Sequence, residues 1–203
     1  MTQEPDKVAL FDADEVLLDI WQPLIDTYNR FFNTHLTSRS FPAIVRDFDK
    51  NREKYKDFSL YFMQSEAFGR LKARPGMKQL LHQMREKQYD LVVITASSPD
   101  PRLAAKRQQN LETEFGSIFK SIHCTGSPDK TAIIQQYARQ YRLSLFIDDH
   151  PDTVAQSVGI VNAPIWQANA VRAPYFARIR KPMFVAKKAT DILTIAAQME
   201  HSR

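Results

Sequence analysis

Six side chains at four points along the 203-residue chain have the types and spacing to do chemistry together. Asp12 and Asp14 stand two positions apart, Asp148 and Asp149 stand side by side, and Thr95 and Lys130 lie between the two acidic pairs. Gathered carboxylates favour a hard divalent cation such as Mg2+, which takes one or two of them and keeps several waters. A lysine among them offsets negative charge, and a threonine hydroxyl can donate to a phosphate oxygen. Two carboxylates in different surroundings can divide the work, one as nucleophile and the other as acid or base. Each feature alone has a plainer explanation. Asp12 and Asp14 could be turn or helix-capping acids, Thr95 an ordinary strand end, Lys130 a surface lysine, and Asp148-Asp149 the cap of the next helix. Together these explanations need four independent coincidences. A calcium loop is excluded, since its third acidic position is Val16 and its glycine position is Leu17.

The elements that must gather these groups follow from the hydrophobic pattern. Val8-Ala9-Leu10-Phe11 is an unbroken apolar run of strand length, which suits a parallel strand buried on both faces. Ligands in open α/β sheets bind beyond the carboxyl ends of such strands, so a first strand over 8–12 would deliver Asp12 and Asp14 there. Leu91 to Ile94 runs into Thr95, and Leu145 to Ile147 runs into Asp148-Asp149. Ser127-Pro128-Asp129 opens a helix with Ile133, Ile134, Tyr137 and Tyr141 inward, which puts Lys130 at its start. Further helices carry Met77, Leu80, Leu81 and Met84, then Leu103, Leu111 and Phe115. Short strands near 121–124 and 158–166, a short helix from about 151 and a final helix near 189–199 complete the series.

From about residue 75 strands alternate with helices, which argues a parallel sheet. Residues 19–73 break that rhythm with three helical patterns: Ile20 to Phe32, Phe41 to Phe48, and Phe58 to Phe62, the last ending near Gly69. The expected class is therefore α/β. A three-layer, Rossmann-like parallel sheet flanked by helices would comprise residues 1–18 and 74–203. A small helical cap, residues 19–73, would be inserted after the first strand and lie over its active end.

Composition narrows the partners. The net charge of +5 admits an anionic substrate, but the basic residues are scattered, with no long block and no nucleic-acid motif, so no nucleic-acid polymer is expected. No apolar run approaches the roughly 20 residues that span a bilayer, so no membrane is expected either. The polar N-terminus is no signal peptide, and the single cysteine, Cys124, fits a reducing cytoplasm. The oligomeric state is not fixed by the sequence, a homodimer being one option. His123 and His150 lack metal-ligand spacing. The aromatics Trp21, Phe31, Phe32, Tyr61, Phe62 and Phe68 suit the cap's own small core better than base stacking. Arg102 and Lys106 suit a solvated helix face about as well as an anion site, and the basic, aromatic stretch 172–188 could bind a partner or lie on the sheet.

Phe11-Asp12-Ala13-Asp14-Glu15-Val16-Leu17, Val93-Ile94-Thr95-Ala96-Ser97, Lys130 and Phe146-Ile147-Asp148-Asp149 resemble, in order, the four motifs of the haloacid dehalogenase-like phosphatase superfamily. Tyr61 to Phe68 and Arg74-Pro75-Gly76 look most like its 5′(3′)-deoxyribonucleotidase branch. The resemblance implies an aspartyl-phosphate mechanism. Asp12 would attack phosphorus, and Asp14 would protonate the leaving oxygen and later deprotonate the hydrolytic water. Thr95 would hold a phosphoryl oxygen together with Ala96 and Ser97, and Lys130 would steady nucleophile and phosphate. Mg2+ would be bound by Asp12, the backbone carbonyl of Asp14 and Asp148, with Asp149 acting through a metal-bound water.

The superfamily's usual glycine after the second aspartate is Glu15 here. Glycine permits an unusual backbone and leaves space; glutamate does neither and adds a carboxylate. The function implied is hydrolysis of a small phosphorylated substrate, a (deoxy)nucleoside monophosphate first. A sugar phosphate or other metabolite is the alternative substrate, and a degenerate, non-catalytic binding protein the alternative class.

Overall fold

The computed structural model describes residues 6–169 and 181–202, so 172–180 of the basic stretch lies outside it. At its centre is β1 (Lys7–Phe11), where Val8 to Phe11 are wholly buried. Its flanks are β4 (Tyr89–Thr95), which pairs Leu91 with Ala9, and β6 (Leu143–Asp148), which pairs Leu145 with Ala9. Beyond β4 lies β5 (Ser121–Cys124), and beyond β6 lie β7 (Ala163–Gln167) and then β8 (Phe184–Ala186). All these pairings are parallel. The sheet is therefore the parallel, doubly covered kind expected.

Strand alternation divides the apolar residues between two faces. Ala9, Phe11, Leu91, Val93, Leu145 and Ile147 join one core, shared with α4 (Met77–Glu86), α5 (Pro101–Phe115) and α8 (Ala189–His201). Val8, Leu10, Val92, Ile94 and Phe146 join the other, under α6 (Thr131–Gln140) and α7 (Pro151–Ser157). The chain leaves β1 to one side for β4 and β5, then returns to its other side for β6. The crevice between the carboxyl ends of β1 and β6 is thus the switch point where ligands bind in such sheets.

The segment after β1 holds α1 (Trp21–Phe32), α2 (Phe41–Lys50) and α3 (Lys56–Gln64). It is entered and left through a two-residue antiparallel ribbon, β2 (Leu18–Asp19) against β3 (Lys72–Ala73), which pairs Leu18 with Ala73. The expectation of helices alone over 19–73 is corrected by this ribbon. The third helix also stops earlier than Gly69: the Ser65 hydroxyl bonds back to the Phe62 carbonyl at 2.7 Å, and a separate 3-10 turn covers Phe68–Arg70. Tyr28, Phe41, Phe58 and Phe62 fill the helical segment's interior. The Tyr28 and Phe58 ring centroids lie 5.2 Å apart, edge to face, so most of its aromatics are core rather than open platforms. Phe31, Phe32 and Tyr61 keep about two-fifths of their surface exposed.

Two further boundaries differ from the hydrophobic pattern. The strand expected near 158–166 is β7, starting at Ala163, because Gly159 at φ +82° turns the chain first. Of the stretch 172–188, Phe184–Ala186 adds to the sheet as its edge strand.

Candidate active site

β1 hands its hydrogen-bond ladder on to Asp12, whose N–H donates to the Ile147 carbonyl at 2.8 Å. The Asp12 carboxylate therefore starts level with the end of β6, where Asp148 stands. Lys130, at the N-terminus of α6, reaches into the gap. Its ammonium donates to Asp12 Oδ1 at 2.6 Å and to Asp148 Oδ2 at 2.7 Å. All three groups are buried. The second Asp148 oxygen accepts the His150 N–H at 2.8 Å, which fixes the carboxylate's orientation. Asp149, also buried, accepts from Asn169 Nδ2 at 3.0 Å.

Oxygens of Asp12, Asp148 and Asp149 all lie within 4.8 Å of one another. Among the described residues, Asp12 and Asp148 share the Lys130 ammonium, and the three carboxylates are buried together in a place that disfavours their charge. Burial pushes the Asp12 carboxyl up to about 7, against the pull of Lys130 and with the help of Asp148 and Asp14. Burial likewise raises Asp148, opposed by Lys130 and reinforced by Asp149. Burial also works against the charge on Lys130, but Asp12 and Asp148 outweigh it and hold the ammonium above its ordinary value. Three carboxylate oxygens this close together are the donors a hard divalent cation takes, so the set fits a metal ion.

Thr95 ends β4 and is buried, its hydroxyl 3.1 Å from that of Ser97 and accepting the Ser97 N–H at 3.3 Å. Ala96 between them is exposed. Asp14 is not part of the three-carboxylate cluster. Both its oxygens accept from Arg107 Nη2, at 2.8 and 3.1 Å, and its side chain keeps 28% of its surface exposed. The two aspartates of the first motif thus occupy different surroundings, one sharing a lysine and the other an arginine.

Residues 6–170 match the family model described as 5′ nucleotidase, deoxy (Pyrimidine), cytosolic type C protein. The chain belongs to this family. Among solved structures it is similar to a haloacid dehalogenase-like family protein from Streptococcus pneumoniae, at 14% identity over 94% of this chain and 98% of that one, with a TM-score of 0.67. A haloacid dehalogenase-superfamily hydrolase from Ehrlichia chaffeensis matches at 12% identity over 98% and 99%, TM-score 0.57. CbbY from Rhodobacter sphaeroides, in complex with phosphate, matches at 14% over 90% and 94%, TM-score 0.59. At these identities the structures share the fold. No curated protein matches the sequence. This type C 5′-nucleotidase-family chain is a haloacid dehalogenase-type phosphoric monoester hydrolase. Among the described residues, no helix is long and apolar enough to cross a membrane.

In this nucleotidase-family protein Glu15 adopts the backbone that glycine would, at φ +61°. Its side chain does not enter the carboxylate cluster. It accepts the Ile20 N–H at 3.0 Å and Arg74 Nη1 at 3.0 Å, while the same nitrogen also bonds the Glu15 carbonyl. Ile20 begins the helical segment and Arg74 follows it, so Glu15 pins both ends of the insertion beside the ribbon. Burial pushes its carboxyl up to about 7, with Arg74 pulling the other way and Asp149 adding to the push.

Arg107 is the residue the motifs did not reveal. A signal was present: it lies four residues after Leu103 and four before Leu111, on the apolar face of α5. A wholly buried arginine there must find an acid, and it found Asp14. Lys106, weighed as an anion contact, instead donates to the Gln64 and Ser65 carbonyls at the C-terminus of α3. His123 bonds the Tyr137 hydroxyl at 3.0 Å. His150 lies 3.9 Å from Asp49 on α2.

Proposed function

We propose that this phosphatase hydrolyses (deoxy)nucleoside monophosphates through an aspartyl-phosphate on Asp12, with Mg2+ as its metal. The observation that carries the reading is the sharing of Lys130 between Asp12 and Asp148, beside Asp149, while Asp14 two residues on has its own partner. The family match supplies the nucleotide. Residues 19–73 act in this reading as a cap over the crevice, hinged at the β2–β3 ribbon and distinct from the core, residues 1–18 and 74–203.

Asp12 attacks phosphorus as the bond to the leaving oxygen breaks, and Asp14 gives its proton to that oxygen. Water then attacks the phosphoryl group, Asp14 takes the water's proton, and Asp12 is released as a carboxylate. Thr95, with Ser97 and the Ala96 amide, holds phosphoryl oxygens, and Lys130 balances the charge that gathers on nucleophile and phosphate. Asp12, Asp148 and Asp149 would hold the Mg2+ ion with the Asp14 carbonyl, and the bound ion would supply charge stabilisation to the transferring phosphoryl group. Glu15, the feature that favoured a non-catalytic protein, is occupied by Ile20 and Arg74, so it does not crowd this chemistry.

A panel of phosphomonoesters assayed with Mg2+, including 5′- and 3′-nucleotides and sugar phosphates, tests the substrate. A 5′-nucleotide should lead; a sugar phosphate preferred over every nucleotide would overturn the choice. EDTA should abolish turnover and Mg2+ restore it. Asp12→Asn should be inactive on every ester, because an amide cannot serve as the nucleophile.

A further inference from the structure

We infer that Arg107 is the positioning residue for Asp14, and that Phe68 couples this placement to the helical insertion. The inference rests on the phosphatase reading above. Arg107 is wholly buried and joins three separate parts of the molecule. Its Nη2 spans both Asp14 oxygens, and its Nε lies 3.3 Å from the Ser97 hydroxyl in the loop after Thr95. Its guanidinium lies over the Phe68 ring, 3.9 Å from the centroid, in the 3-10 turn before β3. The remaining nitrogen, Nη1, meets no hydrogen-bond partner among the described residues.

Nothing in the packing of α5 demands this arginine. Leu103 and Leu111 flank it one turn away on each side, and an apolar residue would complete their face. Buried ion pairs are weak evidence for stability, and a buried donor without a partner is a cost. The arrangement does serve Asp14, which needs a fixed orientation because it must meet first the departing oxygen and then the attacking water. Arg107 holds both Asp14 oxygens, yet the side chain keeps 28% of its surface exposed. Arg107 itself neither gives nor takes a proton. The Phe68 ring excludes water from the guanidinium, which strengthens the pair and makes it depend on where the insertion sits.

Leaving-group dependence tests this. An alkyl phosphomonoester needs its leaving oxygen protonated, whereas p-nitrophenyl phosphate does not. Losing a well-placed general acid costs on the order of 10²-fold or more on the first ester. We expect Arg107→Met to lower kcat/KM by about that factor for the alkyl ester, with a much smaller loss for p-nitrophenyl phosphate. Arg107→Lys, which keeps a donor toward Asp14, should recover part of the difference. Phe68→Leu should show the same discrimination at several-fold. Equal losses on both esters in the Arg107 variants would overturn the positioning role, since a structural arginine lowers both alike. Equal losses in Phe68→Leu alone would overturn the coupling to the insertion. Should Arg107→Met fail to fold, Arg107→Lys and Phe68→Leu make the same comparison. Wild-type protein inert on both esters with Mg2+ would instead bring down the phosphatase reading, and this inference with it.

Discussion

Replacing Glu15 by glutamine should make the folded protein's stability less sensitive to pH, and the size of the effect follows from the site. Burial raises the Glu15 carboxyl from an ordinary value of 4.5 to about 7. At roughly 1.4 kcal/mol per pH unit, that gap is worth about 3 kcal/mol. Because the folded carboxyl holds its proton more tightly than the unfolded one, its contribution is fully present below pH 4.5 and lost as pH climbs to about 7. Glutamine keeps the shape and has no proton to lose, but its single acceptor oxygen can serve Ile20 or Arg74 and not both, a loss that does not change with pH. The stability of the variant relative to wild type should therefore rise by up to about 3 kcal/mol between pH 4.5 and pH 8, on top of that constant loss. For a chain of this size that is a Tm gap of roughly 6–12 °C. Urea titrations at a series of pH values in EDTA give the difference, from which the other titrating groups largely cancel. Mg2+ should narrow the gap, since the Asp149 charge that helps to raise Glu15 would be neutralised. A difference that stays flat, or that favours wild type more as pH rises, would refute the reasoning.

Lys130→Met leaves Asp12 and Asp148 buried without their counter-charge, which should cost about 3–5 kcal/mol in the metal-free protein at pH 8. Part should return at pH 5, where these raised carboxyls take up protons; unfolding at the two pH values checks it. Phe58→Ala opens a cavity among the rings of Tyr28, Phe31 and Phe32 and should cost about 3–5 kcal/mol. Because one apolar core runs from Phe11 and Ile147 into Phe58 and Phe62, unfolding should remain a single transition by near- and far-ultraviolet circular dichroism. A separate early transition would show that the insertion folds on its own.

The sheet was legible because its strands obey two strong rules. Val8 to Phe11 and Leu91 to Ile94 are apolar at odd and even positions alike, which only burial on both faces explains. What stayed hidden is decided by long-range pairing. Leu18–Asp19 and Lys72–Ala73 are strands only because each is the other's partner, and two residues carry no period. Phe184–Ala186 is a strand because β7 offers it a free edge, and its basic, aromatic surroundings point nowhere in particular.

The site divides along a similar line. Groups set at strand ends, Asp12, Thr95 and Asp148, could be placed from the pattern of the strands, and Lys130 from the helix that opens around it. Glu15 and Arg107 could not, because each is defined by a partner far along the chain. For Glu15 the argument from glycine failed on energetics. A left-handed backbone costs a non-glycine residue about 1–2 kcal/mol, an amount that hydrogen bonds from Ile20 and Arg74 can offset. A lone residue type cannot show whether such an offset exists. Arg107 carries the more general lesson: a cation on the apolar face of a helix cannot be solvated there, so its position alone demands a buried acid. Asn110, on the same face, reaches the Leu71 carbonyl at 2.9 Å, just before β3. The polar residues that break the face of α5 are thus the ones that tie the core to the insertion and to Asp14. Interruptions in an otherwise apolar stripe, rather than the motifs, mark where this site is coupled to the rest of the fold.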